Sequence, residues 1–174
     1  FTVPVDGGEV RCVTAEQPAD DVRPRYSPDG RFIAFGMRRN DYYGDRVRLA
    51  LLERETGTIR VLTEAWDRSP GEWRWKDAHT LVGLADERAR TLLFELPIDG
   101  APRALLVEGT QHGLELGADG VVWVQHQDLT HPPELARLLE GAWQRVSSFN
   151  ETLLGELELV APEELVIEGA AGDP

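Results

Sequence analysis

The chain has 174 residues, of which 41% are hydrophobic and 28% are charged, a composition typical of one soluble globular domain. It contains no run of 18 apolar residues, so the sequence predicts no membrane-spanning helix. Eighteen basic and 31 acidic residues give a net charge of -13, which repels phosphate backbones and anionic lipids. Nucleic acid and membranes are therefore not expected partners.

Cys12 is the single cysteine, which excludes an intrachain disulfide and a multi-cysteine zinc cluster. A reducing compartment is the simpler interpretation, so we expect a cytoplasmic location. The chain begins at Phe1, without an initiator methionine or a signal-like segment, and we expect it to be part of a longer protein.

A turn followed by an apolar run occurs three times along the chain. The three segments are 26–35 (YSPDGRFIAF), 75–84 (WKDAHTLVGL) and 117–124 (GADGVVWV), with turn aspartates at positions 29, 77 and 119. A second landmark, a glycine that precedes a strand-like segment, occurs at positions 8, 57, 100 and 141. Both landmarks recur every 40 to 50 residues, which indicates a structural repeat.

Each repeat contains four strand-like segments. The first two flank the aspartate turn, where Pro28, Asp29 and Gly30 favour a tight hairpin. The third lies near residues 46–53, 91–96 or 134–139, and the fourth follows the glycine. Residues 133–140 have helical spacing of apolar side chains, but their position in the repeat predicts a strand.

Four antiparallel strands per repeat of this length are typical of a β-propeller blade, so the predicted fold class is all-β, with about three and a half blades present. Residues 1–149 form the predicted partial propeller, in which 1–14 end one blade and 22–63, 72–107 and 112–148 are three further blades. We expect a seven-bladed ring, and about half of such a ring has open edges. We expect the remainder of the propeller to cover them, or a second copy of the chain.

The blade motif at 26–35, together with the strand that ends in Gly57-x-x-Arg60-x-Leu62-Thr63, resembles the propeller blades of the prolyl oligopeptidase family of serine peptidases. Residues 132–135 (PPEL), 147–151 (SSFNE) and 162–174 (PEELVIEGAAGDP) are similar to the exit from the last blade of acylaminoacyl peptidases. The resemblance implies that residues 150–174 are a linker and the start of an α/β-hydrolase domain that the chain lacks.

This resemblance also implies a function. The propeller would cap the active site and admit short peptides by size, and the hydrolase domain would supply the catalytic serine, aspartate and histidine. No Gly-x-Ser-x-Gly motif surrounds any serine, so the chain is not expected to be catalytic by itself. The alternative is a non-enzymatic propeller that binds proteins, since similar repeats occur in translocation propellers.

The loop at 38–46 is the most polar and aromatic one. Arg38, Arg39, Tyr42 and Tyr43 are the candidate residues for contact with a substrate or with the hydrolase domain, because arginine matches the geometry of carboxylates. The competing interpretation is a solvated loop tip, in which arginine and aspartate pair with little effect on stability.

The remaining candidates favour structural roles. His126, Asp128 and His131 have metal-ligand chemistry, but their spacing favours a solvated turn, so no metal or cofactor is predicted. Trp73 and Trp75 alternate along a strand and are expected to fill the space between blades. The acidic tail from residue 151 onwards is expected to be a solvated face.

Overall fold

The computed structural model describes residues 1–106, 108–139 and 141–170. Val107, predicted as the end of a blade, Glu140, in the segment with helical spacing, and residues 171–174 of the predicted linker lie outside the described residues. No helix of the described part is long and apolar enough to cross a membrane.

Three four-stranded sheets account for the strands of the described residues. The first contains β1 (Asp21–Tyr26), β2 (Phe32–Met37), β3 (Arg48–Glu53) and β4 (Ile59–Val61). The second contains β5 (Pro70–Trp75), β6 (Thr80–Glu87), β7 (Arg90–Pro97) and β8 (Arg103–Leu106). The third contains β9 (Thr110–Leu116), β10 (Val122–Gln127), β11 (Glu134–Leu139) and β12 (Ala142–Arg145), and a short helix α1 (Glu151–Leu154) follows.

Within each sheet the strands lie in chain order and every neighbouring pair is antiparallel. The prediction of four-stranded antiparallel blades is therefore confirmed, with three complete blades. Residues 1–14, predicted to hold two strands of a preceding blade, have one antiparallel bridge between Thr2 and Arg11.

The aspartate turns explain why the first two strands of each blade form hairpins. The Oδ1 atom of each aspartate accepts a hydrogen bond from the backbone amide two residues later. The distances are 3.1 Å for Asp29, 2.8 Å for Asp77 and 3.1 Å for Asp119. This local bond mimics a backbone turn, which explains how the second turn forms although it has an alanine at the position of Gly30.

The segment with helical spacing is a strand, as its position in the repeat predicted. β11 pairs with β10 on one side and with β12 on the other. Ala136 is buried towards the second blade, whereas Leu135 is exposed on the opposite side. Strand pairing on both sides therefore overrides the local helical pattern.

Trp73 fills the space between the first two blades. Its side chain is 1% exposed and belongs to a cluster that also contains Leu49 and Leu51 of the first blade and Phe94 of the second. Trp75 packs against the same cluster, which confirms that the two tryptophans point to one side of β5. Burial of such an indole contributes strongly to the association of the two sheets.

Two further clusters use three more blade faces. Leu84 and Leu93 of the second blade pack on Leu114 and Val124 of the third. On the other side of the first blade, a cluster that includes Phe35 has the N-terminal segment against it. All members of this cluster are apolar: Ile33, Phe35, Met37, Ala50 and Leu52, with Val13, Ile59 and Val61 packed against them.

The first strands of neighbouring blades are also joined by polar contacts. The guanidinium group of Arg74 on β5 donates two hydrogen bonds to the carboxylate of Glu115 on β9, at 2.7 and 3.1 Å. The indole Nε1 of Trp75 donates to the carbonyl oxygen of Arg25 on β1, at 3.0 Å. These contacts hold the first strands of the three blades, β1, β5 and β9, side by side.

The antiparallel order places two kinds of connection at one end of the sheets. These are the loops between the second and third strands, and the connections from one blade to the next. The chain leaves β12 at the same end, which we call the exit face. It contains the loop at 38–47, the connection at 62–69, the hairpin tip at 88–89, the loop at 128–133 and the segment from 146 onwards.

Replacement of Gly36 by alanine is expected to destabilise the chain. A Cβ atom there would lie 2.7 Å from Val47 Cγ1 and 2.9 Å from both Trp73 Cη2 and Val22 Cγ2. Overpacking of this kind lowers the free energy of unfolding by about 1 to 3 kcal/mol. Chemical denaturation measures the effect, with Gly71→Ala as the control because its nearest atom would be 3.9 Å away. Equal stability of the two variants would contradict the packing.

Candidate functional site

The loop at 38–47 is held in one shape by its own side chains. The Oδ2 atom of Asp45 accepts a hydrogen bond from the backbone amide of Arg39 at 2.6 Å, and its Oδ1 atom pairs with Arg48 at 3.0 Å. Asn40 Oδ1 accepts a bond from the amide of Tyr42 at 2.9 Å. The amide of Arg39, with a contribution from Arg48, lowers the pKa of Asp45, so the carboxylate remains charged.

Tyr42 and Tyr43 form an exposed aromatic pair at the tip of this loop. Their ring centroids are 5.3 Å apart, and the residues are 66% and 87% exposed. Because Asp45 and Asn40 fix the backbone on both sides, the two rings are presented to solvent without support from the blade core. Tyrosines of this kind are common at the centres of protein interfaces.

The two predicted arginines lie in different surroundings. Arg39 is exposed and its Nη2 atom pairs with Glu64 Oε2 at 2.7 Å. Arg38 is partly buried at the end of β2, where its Nε atom has no hydrogen-bond partner among the described residues. The structure therefore brings Tyr42 and Tyr43 together and places the two guanidinium groups at the base of the loop.

Glu64 is a residue of this loop's surroundings that sequence reasoning missed. It lies on the connection between the first two blades, and three arginines approach it. Arg46 also donates to the carbonyl oxygens of Glu64 and Trp66, so it ties the loop to this connection. These three arginines, Arg39, Arg46 and Arg48, lie within ten residues, which was a signal for an acidic partner, but the sequence did not indicate which one.

The segment with His126, Asp128 and His131 consists of the end of β10 and a hydrogen-bonded turn after it. The carboxylate of Asp128 accepts bonds from Thr130 and His131, including Thr130 N at 2.7 Å and His131 N at 2.8 Å. Partial burial raises the pKa of Asp128, but these bonds outweigh it and lower the pKa to about 2. In the part of the chain that the structure describes, no group of three or more metal-ligating side chains comes together.

His126 instead takes part in a buried polar contact. Its Nδ1 atom lies 2.8 Å from Oε1 of Gln111, and Gln111 Nε2 donates to the carbonyl oxygen of Glu108 at 2.7 Å. Gln111 is fully buried, although a glutamine in a strand gave no sequence signal for this role. Burial lowers the pKa of His126, and the carboxylates of Asp128 and Glu108 oppose that effect.

Glu134 fixes the start of the exit segment. This buried carboxylate at the beginning of β11 accepts hydrogen bonds from the hydroxyl of Ser147, and from the amide nitrogen and side chain of Asn150 at 2.9 and 3.0 Å. The bond from Ser147 is the main reason why the pKa of Glu134 falls to about 2. We call this set of contacts the exit clamp, since it ties residues 147–150 to the third blade.

A cleft lies between the second and third blades on the exit face. It has a volume of about 840 Å³ and is enclosed by the hairpin tip at 88–90, the connection at 108–110, the loop at 127–130 and the tail at 162–165. The tail is anchored there by an ion pair between Arg90 Nη2 and Glu164 Oε2, at 2.8 Å. Sequence reasoning treated this part of the tail as a solvated face and gave no contact for Glu164.

These blades and their exit face define the chain as part of a β-propeller whose loops gather at the end where the chain leaves the last blade. No protein-family model matches the chain. Curated sequence relatives are nevertheless detectable. They are dipeptidyl-peptidase 5 of Porphyromonas gingivalis, 26% identical over 82% of this chain, and a probable dipeptidyl-peptidase 5 of Emericella nidulans, 28% identical over 65%. The chain spans 22% and 17% of their respective lengths.

Solved structures with the same fold are peptidase and TolB propellers. Acylaminoacyl peptidase of Pyrococcus horikoshii matches 78% of this chain, with a TM-score of 0.64 and 15% identity, over 21% of its own length. The propeller domain of the Trilobed protease from Pyrococcus furiosus matches 74% (TM-score 0.60, 17% identity, 38% of its length). TolB of Acinetobacter baumannii matches 70% (TM-score 0.56, 17% identity, 31% of its length).

Relatives and neighbours together agree with the resemblance that the blade motif predicted. The sequence relatives are dipeptidyl-peptidases 5, and the structural neighbours include the propellers of acylaminoacyl peptidase and related proteins. The chain is consistent with a propeller portion of the prolyl oligopeptidase family, so the predicted resemblance to that family is confirmed.

Stability is expected to fall on mild acidification because of His126. Its pKa is lowered in the folded state, so the unfolded chain binds more protons than the folded chain at mildly acidic pH. The contribution of neutral His126 to the free energy of unfolding is therefore lost as the pH drops below the unfolded pKa of 6.5. We expect His126→Gln to reduce the loss of unfolding free energy between about pH 7.5 and 5.5. Denaturation at both pH values measures it, with exposed His79→Gln as the control. If His126→Gln loses as much unfolding free energy as the wild type, His126 is not the cause of the pH dependence.

Proposed function

We propose that the chain is the propeller portion of a serine peptidase of the acylaminoacyl or dipeptidyl-peptidase type, and that it limits access to the active site to short peptides. The observation that carries the proposal is the tail. It leaves the third blade at the exit face and exposes apolar side chains that a further domain would bury. These are Leu157, Leu159, Val160, Leu165, Val166 and Ile167.

The domain organisation follows from the same proposal. Residues 1–149 are part of a seven-bladed propeller, and residues 150–174 lead into an α/β-hydrolase domain. Further blades would cover the open faces of the first and third blades. A reducing, cytoplasmic location is part of the proposal, and it rests on the single Cys12.

The chemistry is allocated to the hydrolase domain. An acyl-enzyme route needs a serine nucleophile activated by a histidine, and donors that stabilise the developing oxyanion. The serines of this chain lack the nucleophile motif. The blades would contribute by excluding folded proteins from the active site.

The tyrosine loop is the proposed contact for the hydrolase domain or for a bound peptide. Tyr42, Tyr43 and Arg39 lie on the exit face, where the chain leaves the propeller, and Arg38 lies at the base of the loop. The backbone of the loop is already fixed by Asp45 and Asn40, so docking would order few additional backbone groups. Because Arg39 has a surface partner in Glu64, its guanidinium can exchange that partner at small cost.

A chain of these 174 residues is expected to show no hydrolysis of chromogenic acyl-amino acid or dipeptide substrates. A protein that extends through the hydrolase domain is expected to cleave them. Initial rates on both proteins at equal molar concentration measure the difference, with an inhibitor that modifies active-site serines as the control. Inhibitor-sensitive activity in the short chain would refute the allocation of roles.

In the extended protein, Tyr42→Ser with Tyr43→Ser is expected to lower kcat/KM about tenfold or more, because hot-spot aromatics each contribute about 1 to 2 kcal/mol to an interface. The matched control is Tyr26→Ser, an exposed tyrosine at the opposite end of the sheets. Denaturation of the 174-residue chain should give equal stability for the double variant and the wild type. Unchanged kcat/KM in the double variant would remove the loop from the proposed contact.

A protein-binding propeller without a catalytic domain is the second candidate function, favoured by the likeness to TolB. Continuation of the reading frame separates the two. A Gly-x-Ser-x-Gly motif within about 150 residues after Pro174 favours the peptidase, and a stop codon favours the binding propeller. A homodimer that completes its own ring would have twice the mass of 19.4 kDa in light scattering.

A further inference from the structure

The chain after the third blade is attached to the exit face at two places of different strength. The first is the exit clamp, in which the buried carboxylate of Glu134 holds Ser147 and Asn150. Leu135 N also donates to Ser147 Oγ at 2.8 Å, so the hydroxyl group is bonded on both sides. Charge-assisted bonds to a buried carboxylate are costly to break, so this is the stronger of the two attachments.

The second attachment is one ion pair, and it lies beyond a segment that makes no hydrogen bond to other described residues. Among the described residues, the last backbone hydrogen bond that the tail makes outside a helix joins Leu157 N to Leu154 O at 3.1 Å. Between Leu157 and the end of the described residues, the one hydrogen-bonded link to the blades is that of Glu164 with Arg90. The side chains of Arg90 and Glu164 are 43% and 59% exposed, so water and salt reach the pair.

The cleft holds residues 162–165 of the tail loosely. Leu165 lies at the cleft together with Leu129, which is 84% exposed. The space of about 840 Å³ is not filled by the tail that crosses it. Leaving the cleft therefore requires loss of one exposed ion pair, and no backbone bond joins the tail at 162–165 to the blades among the described residues.

We propose that residues 162–165 are a releasable strap across this cleft, and that the Arg90–Glu164 pair is its clip. The strap itself does not depend on the proposed function, but its effect on the movement of a following domain rests on that function. With the clip closed, the chain towards a following hydrolase domain leaves the propeller at the second blade. With the clip open, it leaves at the exit clamp on the third blade, and the domain gains the length of residues 158–165 to move.

The test places a paramagnetic label on the tail of the 174-residue chain. Ile167→Cys in a Cys12→Ser background carries the label, and the amide signals of Ala89 and Gly109 at the cleft report its proximity. We expect strong attenuation in this background and less in R90E, in which the ratio of open to closed strap rises about two- to fivefold or more. The charge-swapped R90E/E164R should restore the attenuation, and about 1 M NaCl should reduce it, since the Debye length is then about 3 Å.

Two controls keep the result specific. A label at Leu157→Cys, before the segment without hydrogen bonds, should give the same attenuation in every variant and at every salt concentration. If R90E perturbs the blades, seen as changed amide shifts in β6 and β7, then E164K on the exposed tail opens the clip instead. Equal attenuation with and without the charge pair, or none in the Cys12→Ser background, would overturn the strap. Neither outcome bears on hydrolysis by the extended protein, which tests the proposed function separately.

Discussion

Each blade has apolar side chains on both faces, and no blade can bury these faces without a neighbour. Trp73 shows how tightly this constraint is met, because its ring reaches the backbone of Gly36 in the first blade and leaves no room for a methyl group there. Every feature of the exit face depends on this packing. The loops that carry Tyr42, Arg90 and Asp128 belong to three different blades, and only face-to-face packing of the sheets brings them to one surface.

Local chemistry explains which parts of the fold could be predicted from the sequence. The bonds of Asp29, Asp77 and Asp119 reach only two residues along the chain, so the turn motif records them directly. The hairpin tip at Arg88 and Ala89 gave no such signal, because both residues have positive φ angles of 48° and 59° where glycine or asparagine is usual. The partners of Glu134, Gln111 and Glu64 are fixed by tertiary packing, and the residue types alone did not indicate them.

The exit face contains several paired charges. Although the net charge is -13, arginines on the exit face meet carboxylates from neighbouring elements. Arg68, on the connection between the first two blades, donates to both oxygens of Glu87 at 2.7 and 2.9 Å, which ties the connection to the second blade. Such bidentate pairs fix geometry more than they add stability. They hold this part of the exit face in one shape.

The contacts between the first strands of neighbouring blades limit the ways in which a propeller of this kind could select peptides by size. Separation of the second and third blades would break the Arg74–Glu115 bonds and expose the cluster around Leu84 and Leu114 to water. At about 25 cal/mol per Å² of apolar surface, exposure of several leucines costs more than a surface ion pair can recover. Movement at the exit face breaks only exposed contacts such as the clip. In the proposed function, access is therefore controlled more readily by displacement of a domain at this face than by parting of the blades.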